Sequence, residues 1–198
     1  MMGQRNRGDA MTWIDFVPFE DASGRLKTLY GRYKRPNDTV SNVITAHSLR
    51  PHLLEGHMAL YRAVLGHSAN QLPLWFLEAV GVYVSALNGC AYCIDHHDHY
   101  GGKAFEGAAG AWRAIVEALL DDSIEDAFDG KHLALLRYAA AVTRNPASIT
   151  EQTIRELRDA GANDGEILEV NQVAGYFAYA NRTILGLGVT LDGEIWAD

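Results

Sequence analysis

Basic runs are missing from this sequence: the longest is the Lys34-Arg35 pair, and 17 Lys and Arg against 25 Asp and Glu leave a formal charge of −8. That balance excludes a partner recognised through its negative charge, such as nucleic acid or an anionic membrane surface. No stretch of about 18 consecutive apolar residues exists to span a bilayer. The polar start "MMGQRNRGDAM" lacks the apolar segment of a signal peptide, and the expected setting is cytoplasmic. Cysteine is scarce too, with two in 198 residues, so a disulfide framework is excluded. In a reducing compartment a lone cysteine pair reads as catalytic or metal-binding rather than as a structural staple. Strand-like alternation is rare. What remains is 48% hydrophobic and 21% charged residues, enough for one domain with a sizeable core.

The apolar residues recur at helical spacing almost throughout, which predicts an all-α, multi-helix fold. Residues 1–20 read as a leader and extended lead-in, and 21–198 as a single domain. The first helix is expected over 21–33, broken by "KRPND". Apolar positions from 43 to 65 form a helical pattern in which Pro51 marks a kink or a fresh start. Pro73 sits where a first-turn proline belongs, and its helix is expected to stop at Asn88-Gly89. A further helix should begin near Cys90 and end near "YGG" at 100–102. One or two helices follow over 104–120, then the acidic loop "DDSIEDAFDGK" and a helix closed by Asn145-Pro146. The next starts at a capped "SITEQ". In "GANDGEILEV", Asn163 precedes Glu166 at capping-box spacing and opens a last long helix running to about residue 185.

The stretch "FLEAVGVYVSALNGCAYCIDHHDHY" concentrates the chemistry. At ~100° per residue, Cys90, Cys93 and His97 fall within about 60° of arc on one helix face, while His96 and His99 point elsewhere and read as surface residues. Cysteines three apart at a helix start are close enough for a reversible disulfide, and the free amides of the first turn favour a thiolate, more so at Cys90. Glu78 is the one Asp, Glu, Lys or Arg between Arg62 and Asp95. Its carboxylate, among apolar neighbours, must find a hydrogen-bond partner or take up a proton, and either state suits proton transfer. The turn at Asn88-Gly89 would fold Glu78 under Cys93 and His97; pairing with an arginine such as Arg182 is the rival placement. Tyr92, between the cysteines, could pack or donate a proton. His47, His52, His57, His67 and His132 have no helper spacing, and Tyr176, Phe177 and Tyr179 read as core or subunit contact.

A glutamate, eleven residues, then Cys-x-x-Cys-x-x-x-His, here Glu78, Cys90, Cys93 and His97, resembles the signature of the alkylhydroperoxidase D family within the carboxymuconolactone decarboxylase-like superfamily. The segments "AHSLRPHLLEGHMALYRAVL", "LRYAAAVTRNP", "LRDAGANDGEILEV" and "YFAYANRTILGLGV" are similar to its peroxidase-related subgroup, a likeness over about residues 40–190. The resemblance implies an all-α homo-oligomer, trimer-based or hexameric, that acts as a thiol peroxidase on hydroperoxides. It implies no bound cofactor, with an external dithiol reductant such as a lipoyl or thioredoxin-like protein. By the same resemblance Cys93 attacks the peroxide, Cys90 resolves, and Glu78 with His97 relays the proton. Where well-studied peroxidase members carry a histidine between the cysteines, this chain has Tyr92. Superfamily decarboxylases lack the cysteine pair. Three other readings stay open: a dithiol-disulfide oxidoreductase without significant peroxidase activity, a zinc module using Cys90, Cys93, His97 and Glu78 or His99, and a non-catalytic oligomeric scaffold.

Overall fold

The helical periodicity is realised in full: a computed structural model describes residues 11–194, and every regular element among them is helical. In chain order these are α1 (Gly24–Tyr33), α2 (Asn42–Ala46), α3 (Pro51–Val64), α4 (Leu74–Leu87), α5 (Ala91–Ala104), α6 (Ala109–Leu120), α7 (Gly130–Arg144), α8 (Glu151–Asp159) and α9 (Asp164–Leu187), with short 3-10 turns at Ile124–Asp126 and Pro146–Ser148. Half of the expected leader, residues 1–10, lies outside the described residues.

The chain divides into two units whose boundaries fall inside α3 and α9: residues 11–59 with 183–194, and Leu60–Arg182. In the first, Leu26, Leu29 and Tyr30 form the buried face of α1. The Tyr30 hydroxyl donates to the Val17 carbonyl at 2.7 Å. Asn42 donates its side-chain amide to the carbonyls of Thr190 (2.8 Å) and Asp192 (3.0 Å), tying the C-terminal residues to α2. Pro51 is a fresh helix start, as its missing N–H costs nothing in a first turn.

The second unit is built around α4, whose residues from Phe76 to Ser85 are all buried. It packs against α5, α6 and α7, and α9 adds Val170, Val173, Ala174, Tyr176, Phe177 and Ala180 to the same core. Helix starts follow local chemistry. Thr150 and Thr153 cap α8 reciprocally. At α9 the Glu166 amide donates to Asn163 Oδ1 (3.1 Å) while the Asn163 amide donates to Glu166 Oε2 (2.9 Å), the capping box expected from the spacing.

One expected boundary is corrected. α5 does not end at "YGG"; it continues through Gly101 and Gly102 to Ala104. The glycines serve close packing instead of chain reversal, because a Cβ on Gly101 would overlap the Trp112 ring and one on Gly102 would lie 3.2 Å from the indole.

Candidate active site

The turn between α4 and α5 is where the site begins. Gly89 adopts φ +70°, the left-handed conformation glycine tolerates best. The Gly89 amide donates to the Ala86 carbonyl (3.0 Å) and the Cys90 amide to the Ser85 carbonyl (2.9 Å), which is the Schellman pattern. Cys90 therefore completes the end of α4 and, as the N-cap residue, starts α5. Its position is held by the backbones of two helices.

The Cys90 and Cys93 sulfurs stand 2.7 Å apart, both buried and both free. A sub-ångström approach separates them from the about 2.05 Å of a disulfide bond. One hydrogen bond joins them, and the helix start decides its direction. Cys90 Sγ also accepts the Cys93 backbone amide, which favours negative charge on Cys90 over Cys93. The Cys93 S–H, helped by its amide and by the Asn181 side chain, holds the Cys90 thiol below its ordinary range against the effect of burial. The Cys93 thiol is pushed well above the ordinary range by its hydrogen bond to Cys90, by burial and by the neighbouring charge; Asn181 and Ser85 act in the opposite sense. The favoured charge position agrees with the helix-start argument and differs from the sulfur to which the resemblance assigns the attack.

Glu78 is 2% exposed and meets His97 Nδ1 through Oε2 at 2.6 Å. Arg182, the rival partner, instead donates to the Ala178 carbonyl at 2.6 Å. With the Nδ1 hydrogen committed to the carboxylate, a neutral His97 presents Nε2 as its basic nitrogen. His97 lies one turn after Cys93 on α5. Its ring meets the edge of Phe177 at a centroid distance of 4.5 Å, with Tyr61 at 6.3 Å. Glu78, Cys90, Cys93 and His97 are thus brought onto two consecutive helices, as the spacing predicted.

Other expectations are revised. His96 is buried, its ring stacked on that of Tyr92 at 4.3 Å, and His99 is half-buried; neither is a surface residue. The Tyr92 ring thus packs on that of His96. His47 and His57 are buried side by side at 4.8 Å, and His132 stacks on Phe76 at 4.3 Å. Tyr176 and Phe177 belong to the core, whereas Tyr179 is exposed. Among the described residues no group of three or more His, Cys, Asp or Glu is placed to hold a metal ion. No helix among them is long and apolar enough to cross a membrane.

Asn181 and Ser85 are the site residues that motif reasoning missed. Ser85 is a lone polar residue in an apolar stretch, seven residues after Glu78 on the same face of α4, whereas Asn181 opens the polar run Asn181-Arg182-Thr183 and carries no such signal.

No family model and no curated protein matches the sequence. Solved structures do match. An uncharacterized peroxidase-related protein from Silicibacter sp. TM1040 is 24% identical with a TM-score of 0.77, over 96% of this chain and 95% of that one. The alkylhydroperoxidase AhpD core of an uncharacterized peroxidase-related protein from Ralstonia eutropha JMP134 is 17% identical with a TM-score of 0.79, over 95% and 99%. The debrominase Bmp8 is 18% identical with a TM-score of 0.70, over 95% and 94%. The chain has the alkylhydroperoxidase D-like fold, with a close cysteine pair at the start of one of its helices.

Proposed function

We propose that this protein is a thiol-dependent peroxidase, using Cys90 and Cys93 as its redox pair and Glu78 with His97 as its proton relay. The observation that carries the reading is the placement of two sulfurs 2.7 Å apart on the helix that also holds an imidazole 2.6 Å from a buried carboxylate. Loss of one proton to His97 leaves a monothiolate whose remaining proton is shared by the sulfurs. When that proton sits on Cys90, Cys93 attacks the terminal oxygen of a hydroperoxide. The O–O bond breaks, Cys93 becomes a sulfenic acid, and His97 returns its proton to the departing alkoxide. Cys90 then condenses with the sulfenic acid, releasing water and forming the disulfide. An external dithiol, lipoyl or thioredoxin-like, opens it by exchange through a mixed disulfide. A cytoplasmic setting fits such a reductant.

The test is a free-thiol count before and after addition of hydrogen peroxide or cumene hydroperoxide, followed by turnover with dihydrolipoamide. Wild type should lose both thiols and recover them. Cys93→Ser should abolish peroxide consumption, and Cys90→Ser should allow one oxidation and then stall. Steady-state turnover by Cys93→Ser would reverse the assignment of the two sulfurs; unchanged thiols in wild type would end the peroxidase reading.

A second reading is dithiol reduction of a substrate other than a peroxide. It is favoured by Tyr92 packed on His96 between two buried sulfurs, and by a fold shared with a debrominase. There two thiols would reduce an aryl C–Br bond to C–H, releasing bromide and a proton and leaving the disulfide. Bromide release from a bromopyrrole under the same conditions distinguishes the two.

The working form is proposed to be a homo-oligomer, trimer-based or hexameric. Leu53 and Leu168 are 54% and 60% exposed on their helices and offer apolar surface to a symmetric partner. Light scattering should give a mass well above 21.8 kDa; a monomer at micromolar concentration contradicts it.

A further inference from the structure

The Glu78–His97 pair accounts for protons but leaves the negative sulfur without an account of what holds its charge in a buried site. Ser85 and Asn181 are 0% and 1% exposed, shut off from bulk solvent. Asn88 Nδ2 donates to Asn181 Oδ1 at 2.9 Å, which orients the Asn181 amide with its oxygen toward α4's last turn and its NH2 toward the site. One of those N–H groups donates to Ser85 Oγ at 3.1 Å. A serine hydroxyl that accepts in this way has its own hydrogen left to donate. Ser85 also supplies the carbonyl that receives the Cys90 amide, so its side chain is anchored at the same turn as the cysteines.

We propose that Asn181 and Ser85 form a donor pair that holds the negative charge of the Cys90–Cys93 sulfurs, separate from the proton relay of Glu78 and His97. The proposal rests on the reading of these cysteines as a reactive dithiol. Asn88 aligns Asn181 and Asn181 aligns Ser85, which leaves each of the last two a hydrogen to offer to sulfur. Asn181 favours the charged form of both cysteines and Ser85 that of Cys93. Charge on Cys93, which the peroxidase step needs and the helix start disfavours, is the state this pair supports. The titratable groups around the sulfurs are each other and Tyr176 of α9, with Tyr61 of α3, Glu78 of α4 and His97 of α5 beyond.

The experiment is alkylation of the fully reduced protein with iodoacetamide from pH about 5 to about 10, each cysteine followed separately by mass spectrometry. Asn181→Asp is the informative variant. It keeps an acceptor for Asn88 and one for Ser85, yet presents a carboxylate where an amide N–H faced sulfur. Its alkylation midpoint should rise by about one pH unit or more, an approximately tenfold loss of thiolate at neutral pH. Asn181→Leu and Ser85→Ala should raise it by less. Folded variants whose profiles superimpose on wild type overturn the proposal. Should the variants at 181 fail to fold, Ser85→Ala decides alone: a raised midpoint supports the donor pair, and an unchanged one overturns it. Hydroperoxide turnover is measured in parallel. A raised midpoint in a protein that consumes no hydroperoxide leaves the donor pair standing and removes only the peroxidase reading.

Discussion

Glu78 is the residue whose chemistry and structure are hardest to separate, because it is buried in α4 and paired with His97 at once. Glu78→Gln keeps the size and an oxygen to accept the His97 Nδ1 hydrogen, but removes the charge that favours a proton on the imidazole. If the pair takes the proton that the sulfurs lose, thiol alkylation near neutral pH should slow about tenfold or more, within the range of a general-base contribution. A pair that only cements two helices would show a changed melting temperature and an unmoved pH profile. Measuring both on Glu78→Gln in a Cys90→Ala background isolates Cys93. An unmoved profile would remove Glu78 from the relay and leave His97 as its base. The cysteines are a different case: backbone fixes their positions. The Schellman turn fixes Cys90, and the first turn of α5 supplies the Cys93 amide to it.

At the scale of elements, the site depends on how closely α4, α5 and α9 approach, and glycines set those distances. A Cβ on Gly81 would overlap the Phe177 ring, whose edge faces His97. Gly81→Ala gains about 1 kcal/mol of helix propensity but overpacks a filled core, at a cost of about 1–3 kcal/mol. The expected net result is a destabilisation of about 0–2 kcal/mol in chemical denaturation, with Phe177 displaced toward the imidazole and hydroperoxide turnover lowered more than stability. Turnover equal to wild type would show that the Phe177–His97 contact has no bearing on the chemistry. Gly101 does the same for α5: Trp112 fills the space beside it, and the indole Nε1 donates to Asp98 Oδ1 at 2.7 Å. The Glu78 Cβ lies 3.2 Å from where a Gly101 Cβ would be, so a side chain there would press on the relay directly.

For the whole molecule, two histidines with lowered pKa values predict a response to acid. His47 in the first unit is held below its ordinary value by burial, despite its hydrogen bond to the Val43 carbonyl. His132 in the second is lowered by burial and then by the Lys131 charge. The folded protein disfavours the charged form of both rings, which protonate more readily once unfolded. Their contribution to stability is therefore fully present above about pH 6.5 and is lost as pH falls through the depressed folded values. The denaturation midpoint should decline between pH about 7 and about 5, and His47→Gln with His132→Gln should flatten that slope. A slope unchanged in the double variant would place the acid sensitivity elsewhere. Glu166 adds a lower step. Burial pushes its carboxyl up, but the Lys131 hydrogen bond and the Asn163 amide outweigh it and hold the carboxyl low, so that contribution disappears only in stronger acid.

Much of this was determined along the chain itself. Helix identity follows from apolar spacing, and helix boundaries from Pro51, Pro73, Asn88-Gly89 and the Asn163–Glu166 box, because these act through backbone geometry within a few residues. Cys90, Cys93 and His97 share a face by helical arithmetic alone. Three things were not legible. The "YGG" of α5 looked like a stop, and only Trp112, approaching from α6, made those glycines interior. His96 looked exposed by its angle from His97, yet the ring of Tyr92 covers it. Asn181 is 91 residues from Cys90 in sequence, with no motif to mark it, and becomes part of the site only because α9 packs beside the end of α4. Local hydrogen bonding is written in neighbouring residues; which distant side chain fills the space beside a sulfur is decided by packing, where shape and burial act across the whole core.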